Sequence, residues 1–206
     1  MKRLLLVTMG AASFLLSPAQ VAIDEAHFPD VAFRDFVSKQ YDRNNDLMLD
    51  EEEINAATKM DIGLMSAHSD IYGFWYIRSM KGVEFFHNLQ ILEIPLERGE
   101  MIKEIDLSHN TNLVRLYWEN REGLEKLDLS PNTKLEYVRL SAPSLSSFSL
   151  NAPLLDTLSI APCKIGQLDL SASPNLTYLS CSDCGLSTLE SVSYTHLRAH
   201  ETCADL

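Results

Sequence analysis

Basic residues are scarce. The 206-residue chain carries 17 Lys and Arg against 29 Asp and Glu, a formal charge of −12 at pH 7, and that balance excludes a nucleic-acid partner, whose phosphates need clustered cations. Catalytic signatures are missing too: the six histidines form no His-Glu-x-x-His, and no serine sits in Gly-x-Ser-x-Gly. Cysteines are few and poorly spread for stapling. Cys163, Cys181, Cys184 and Cys203 crowd the C-terminal part of the chain, which is no disulfide framework. Cys181-x-x-Cys184 has the spacing of a redox or zinc pair, yet it falls where neighbouring repeats carry an apolar residue or Asn, so it reads as core or ladder positions. His196-x-x-x-His200-x-x-Cys203 resembles a metal spacing but has no fourth ligand.

What is present starts with an export signal over residues 1–19. Lys2 and Arg3 give a positive start, Leu4 to Leu16 a mostly apolar stretch too short to span a bilayer, and Ser17-Pro18-Ala19 small residues for cleavage. Cleavage is expected after Ala19, with Ala22 as the alternative. No Cys lies near either point, so a lipid-anchored terminus is not expected, and no membrane span is expected in the mature chain. With 46% hydrophobic residues, the remainder can build a repeat array and one small extra domain.

Residues 20–60 read as a helical cap. Asp30 is placed to cap a helix whose Phe33, Phe36, Val37 and Tyr41 fall on one face. Directly after it, Asp42, Asn44, Asp46, Asp50 and Glu53 occupy positions one, three, five, nine and twelve of an EF-hand loop, with the Met48 carbonyl at seven and Leu49 at eight. Calcium needs oxygen ligands converging from alternate positions and a bidentate carboxylate closing the site, which this spacing supplies. Leu47 stands at position six, where Gly normally takes a left-handed turn; a β-carbon there costs ~1–2 kcal/mol. No second such loop is available to pair with it, and the competing reading is an acidic helix-turn-helix that holds no metal. Residues 61–88 form a bridge whose Tyr72, Phe74, Trp75 and Tyr76 are expected to pack between cap and array.

From 89 to 190 one phrase, Leu-x-x-Leu-x-Leu or a close variant, recurs ten times. One series begins at Leu89, Leu113, Leu135, Leu155 and Leu176, the other at Ile102, Leu124, Leu145, Ile165 and Leu186, so a full turn takes ~20–24 residues. Leu155-x-x-Leu158-x-Ile160-x-x-Cys163-x-Ile165 fits the L-x-x-L-x-L-x-x-N/C-x-L pattern in full, as does the phrase from Leu176 to Leu186. Leu-Asp-Leu-Ser copies recur at Ile105 to Ser108, Leu127 to Ser130 and Leu168 to Ser171. On these residues the chain resembles the leucine-rich repeat proteins, and with its export signal and acidic cap it looks most like the internalin-like secreted and surface proteins of bacteria. The resemblance covers about Ala26 to Leu189. It implies an α/β solenoid: a right-handed leucine-rich repeat array of short parallel strands with a small helical N-terminal cap. It also implies recognition or adhesion, with a protein or glycan partner and no enzymatic chemistry.

In a strand reading Leu-x-x-Leu-x-Leu the leucines point inward and the residues flanking the last two face solvent. The second series repeats its outward residues, Asp106, Asp128 and Asp169 with Ser108, Ser130 and Ser171, as turn chemistry requires. The first series varies them: Ile91 and Glu93, then Arg115, Tyr117 and Glu119, then Tyr137 and Arg139, then Thr157 and Ser159, then Tyr178 and Ser180. Tyr and Arg dominate the energetics of protein interfaces, so Arg115, Tyr117, Glu119, Tyr137, Arg139 and Tyr178 are the candidate ligand-binding residues. The alternative is a calcium-dependent assembly module acting through Asp42, Asn44, Asp46, Met48, Asp50 and Glu53. Residues 191–206 share neither period nor composition with the array; the string resembles read-through of a sequencing adapter, and a non-native tail on a frayed last turn is expected.

Overall fold

The computed structural model describes residues 20–64, 77–95, 102–119, 123–190 and 198–199. The expected export signal, the aromatics Tyr72 to Tyr76 and most of the expected tail lie outside those residues.

The chain enters through strand β1 (Val21–Ala22), helix α1 (Val31–Tyr41), strand β2 (Met48–Leu49) and helix α2 (Glu51–Ala56). Asp30 starts α1 as its composition suggests: one carboxylate oxygen accepts the Phe33 N–H at 2.9 Å, and Phe33, Phe36 and Val37 face inward, fully or almost fully buried. The other Asp30 oxygen accepts the N–H groups of Arg78 and Ser79 at 2.7 and 3.2 Å, tying the helix start to the segment that leads into the array. Phe28 sits beneath it, with ring centroids 5.7 Å from Phe85 and 6.5 Å from Phe86. Cap and array therefore share one hydrophobic core.

Strands β3 (Lys59–Asp61), β4 (Ile91–Ile94), β5 (Arg115–Glu119), β7 (Tyr137–Ser141), β9 (Thr157–Ile160), β11 (Tyr178–Ser180) and β13 (Arg198–Ala199) form one seven-stranded sheet, each parallel to its neighbour. The alternate phrases form two short parallel pairs, β6 (Lys126–Leu129) with β8 (Ser147–Leu150) and β10 (Gln167–Asp169) with β12 (Thr188–Glu190). This is the expected solenoid of parallel strands with a small helical cap. Parallel neighbours must be joined by a crossover, and from β5 to β7, β9 and β11 the crossovers carry β6, β8 and β10, the other half of each turn.

The sheet starts earlier and reaches further than the leucine phrases do. β3 lies where cap and bridge were expected, because Lys59-Met60-Asp61 buries one residue between two outward ones and pairs with Ile91-Leu92-Glu93. Arg198–Ala199, expected in a non-repeat tail, pairs with β11.

Two buried asparagines stitch successive turns. The Asn110 amide donates to the carbonyls of Val83 and Phe86, both at 2.9 Å, and the Asn132 amide to those of Leu107 and Asn110 at 3.0 and 2.9 Å. Such a side chain satisfies backbone acceptors that a turn in the core would otherwise leave under-used. The next two turns place buried Ala152 and Ser173 at the same step.

Candidate functional site

The outward positions of the seven-stranded sheet form two rows set by register. One row runs Lys59, Ile91, Arg115, Tyr137, Thr157, Tyr178; the other runs Asp61, Glu93, Tyr117, Arg139, Ser159, Ser180. Between them Met60, Leu92, Leu116, Val138 and Leu158 point inward and are almost wholly buried. Adjacent strands lie ~4.8 Å apart, so residues in the same row are direct neighbours.

Five of the six candidate residues meet at β5 and β7. The Arg115 guanidinium lies over the Tyr137 ring, 5.1 Å from its centroid, and that of Arg139 over the Tyr117 ring at 5.5 Å. The two pairs run in opposite senses, so arginine and tyrosine alternate as on a chequerboard. Glu119 closes one side with an Nη2 to Oε1 distance of 3.4 Å to Arg139. Burial, then the hydrogen bond and charge of Glu119, hold the Tyr117 phenol above its ordinary value, with Arg139 opposing. Tyr178 stands apart, two strands from Tyr137 across Thr157.

Two residues that sequence reasoning missed join this face. Lys59 reaches the Glu93 carboxylate at 2.8 Å and that of Asp61 at 3.5 Å; the hydrogen bond that Lys59 donates to Glu93 is the main reason its ammonium is held above the usual range. The only signal in the sequence was a three-residue alternation, too short to stand out from a turn.

The constant series does turn work. Ser108, Ser130 and Ser171 each donate a backbone N–H to Asp106, Asp128 and Asp169 at 2.9, 2.9 and 2.8 Å. Hydrogen bonds from Ser108 and Ser171 also hold the Asp106 and Asp169 carboxyls below the ordinary carboxylate range.

The acidic loop folds on itself. Leu47 has φ +62°, the left-handed conformation that position six demands, and its side chain is 60% exposed. Asp42 accepts the N–H groups of Asp46 and Leu47, Asn44 that of Asp46, and Asp46 that of Met48. Asp50 and Glu53 form a reciprocal capping box at the start of α2: Asp50 Oδ1 accepts the Glu53 N–H at 2.8 Å, and Glu53 Oε2 the Asp50 N–H at 3.1 Å. The second Glu53 oxygen accepts the Arg43 N–H at 2.7 Å, and Asp42 and Glu53 are each only 5% exposed. Among the described residues no three His, Cys, Asp or Glu side chains converge as a metal-ligating group. The place of a paired second loop is taken by β1, which runs antiparallel to β2 with Val21 opposite Leu49.

Two solved structures share this architecture. The functional domain of InlJ from Listeria monocytogenes, which includes a cysteine ladder, matches with a TM-score of 0.57 at 24% identity, over 84% of this chain and 38% of that one. An internalin, inlF, from Listeria monocytogenes str. 4b F2365 matches with a TM-score of 0.60 at 20% identity, over 82% of this chain and 48% of that one. The fold is that of an internalin leucine-rich repeat array. This chain spans less than half the length of either internalin. No protein-family model and no curated protein matches the sequence. Cys163 and Cys184 sit at matching positions of consecutive turns and both are buried, as is Cys181; burial suits core packing better than redox or metal chemistry.

Proposed function

We propose that this chain is an exported recognition module that binds a macromolecular partner through the outward face of the seven-stranded sheet. The observation that carries the reading is the pair of arginine–tyrosine stacks at β5 and β7, built at positions that vary from turn to turn while the Asp and Ser turns stay constant. Varied outward residues on a rigid sheet supply specificity without altering the core. Residues 1–19 direct export in this reading, and cleavage after Ala19 keeps Val21–Ala22, the partner of Met48–Leu49, in the mature chain. Among the described residues no helix is long and apolar enough to cross a membrane.

The test is a paired screen on glycan and extracellular-protein arrays with the wild-type chain, the Tyr117→Ala, Tyr137→Ala double variant and a Lys126→Ala control on β6. Genuine ligands should weaken at least ~10-fold with the double variant, as expected for interface hot spots, and stay unchanged with the control. Ligands that bind the double variant as well as the wild type would overturn the reading.

A second reading, a calcium-dependent module, is supported by the conformation of Leu47. The left-handed turn that position six of a calcium loop needs is in place at Leu47, with φ +62°, so the absence of Gly there does not bar the loop geometry. Asp42, Asn44, Asp46, the Met48 carbonyl, Asp50 and Glu53 would hold the ion. Calcium should then raise the thermal midpoint of the wild type, by about 2.7 kcal/mol of stabilisation at a hundredfold excess over Kd, and fail to do so in Asp42→Ala. An unchanged midpoint in calcium sinks this second reading and leaves the first intact.

A further inference from the structure

Resting on the reading of this sheet face as the recognition surface, we propose that its partner is a protein presenting carboxylate side chains, seated on Arg115 with Arg139 as the second contact.

Both arginines are pre-set. A guanidinium held over an aromatic ring keeps N–H groups that project past the ring, and its planar fork matches a carboxylate in bidentate fashion. Arg139 is partly neutralised by Glu119. Arg115 is exposed, its cross-strand neighbours are Ile91 and Tyr137, and no carboxylate among the described residues forms an ion pair with it. Glu93, one strand away, is engaged by Lys59 at 2.8 Å. Among the described residues, the face thus holds one guanidinium that lies over an aromatic ring and has no carboxylate paired with it. The two arginines sit on adjacent strands two residues apart in register, roughly 8 Å between positions at sheet spacings, close to the ~6.8 Å between alternate side chains of an extended peptide.

The same geometry disfavours the other partner classes. Sugar recognition by stacking needs open ring faces, and Tyr117 and Tyr137 each give one to a guanidinium. A sulfated or phosphorylated polymer needs a broad positive field, whereas the two outward rows together with Glu119 beside them hold three basic residues, Lys59, Arg115 and Arg139, and three acidic ones, Asp61, Glu93 and Glu119, on a chain of net charge −12. A protein surface can place one or two carboxylates locally and surround them with neutral groups, which suits the neighbouring Ile91, Thr157 and Ser159.

The probes are a blocked peptide of alternating Glu and Ser, its Gln-Ser counterpart, a neutral hexasaccharide and a heparin-derived hexasaccharide, each titrated into the whole chain while the arginine Nε–H and tyrosine ring NMR signals are followed. The Glu peptide should shift the Arg115 and Arg139 signals and bind at least ~5-fold more tightly than the Gln peptide, with the advantage shrinking as salt is raised. Arg115→Gln and Arg115→Lys should both lose that advantage at an unchanged thermal midpoint, Lys because it neither stacks nor binds in bidentate fashion. Equal affinity for the Glu and Gln peptides, or Arg115→Gln within twofold of wild type, overturns the carboxylate seat. If a hexasaccharide binds instead and loses affinity in the Tyr117→Ala, Tyr137→Ala variant, the recognition face stands and the protein partner falls. Silence of all the arginine and tyrosine signals with every probe counts against both.

Discussion

Gly82→Ala is expected to lower the stability of the folded chain by roughly 2–5 kcal/mol, from left-handed backbone strain of ~1–2 and overpacking of ~1–3. Gly82 has φ +107°, and a β-carbon there would lie 2.2 Å from Phe28 Cδ1, 2.4 Å from Cε1 and 2.9 Å from the His27 carbonyl. Such contacts are relieved only if the neighbour moves. Phe28 has nowhere to go: it is fully buried against Phe33, Phe85 and Phe86, with centroid separations of 6.1, 5.7 and 6.5 Å. The His27 carbonyl is backbone, and its residue is tied by its own N–H and by Nδ1 to Asp24. Gly185→Ala is the control. Its φ is +60° but, beyond its chain neighbours, no atom of the described residues lies within 4 Å of the added carbon, so it should show the backbone component alone, about 1–2 kcal/mol. Denaturant unfolding of both variants separates the two components; equal losses would mean that the cap yields to the added methyl group and is not locked against Phe28.

The position of Gly82 matters because it joins cap to array. A solenoid end presents an uncovered apolar edge unless a cap covers it, and here the cap covers it through Phe28, just before α1, and through Phe33 and Tyr41 of α1, the last with its ring 5.0 Å from that of Phe86. Tyr41 also donates its hydroxyl to the Lys59 carbonyl at 2.9 Å. Lys59 opens the first strand of the sheet, so the cap that seals the core also anchors the edge of the candidate face.

The leucine spacing made the array legible because each phrase spans one turn and its inward residues repeat. The same spacing separated constant from varied outward positions, and the Asp106, Asp128 and Asp169 turns match the turn chemistry read from composition. Strand register was harder. That Arg115 faces Tyr137 and Tyr117 faces Arg139 follows only once the phrases are aligned strand to strand, and the distance from a guanidinium to a ring on the next strand is not written in one phrase. β3 escaped notice because a single buried methionine between Lys59 and Asp61 carries no period. In the acidic loop two patterns coincide: Asp50-x-x-Glu53 is both the end of a calcium-loop spacing and a helix capping box, and the capping box is the one whose hydrogen bonds the structure contains. Asn110 and Asn132 were detectable in principle, since they recur 22 residues apart, but asparagine in a polar turn reads as surface unless the turn is known to be buried.

That burial sets up the other large effect. Asn132→Asp should cost roughly 3–5 kcal/mol at neutral pH, the range for an uncompensated buried charge, although the two side chains have nearly the same shape. The wild-type amide donates to the carbonyls of Leu107 and Asn110 at 3.0 and 2.9 Å in a fully buried site. An ionised carboxylate has no proton to donate and turns both contacts into repulsions. Burial and the two carbonyls would raise the folded-state pKa of the new side chain above its unfolded value of about 3.9. The native variant then holds a proton that the unfolded chain has released. Its deficit relative to wild type should accordingly be smallest below about pH 4 and grow by about 1.4 kcal/mol per pH unit until the folded-state pKa is reached. Asn132→Ala should show a smaller deficit, about 1–3 kcal/mol, without that pH dependence. Leu107 and Asn110 keep backbone donors from Asn110 and Leu113, and the next turn already buries Ala152 at the same step. Urea unfolding of the three proteins between pH 4 and pH 8 provides the measurement. A pH-independent difference between Asn132→Asp and wild type would show that the turn opens to water around residue 132, so that the asparagine amides do not clamp consecutive turns of the array together.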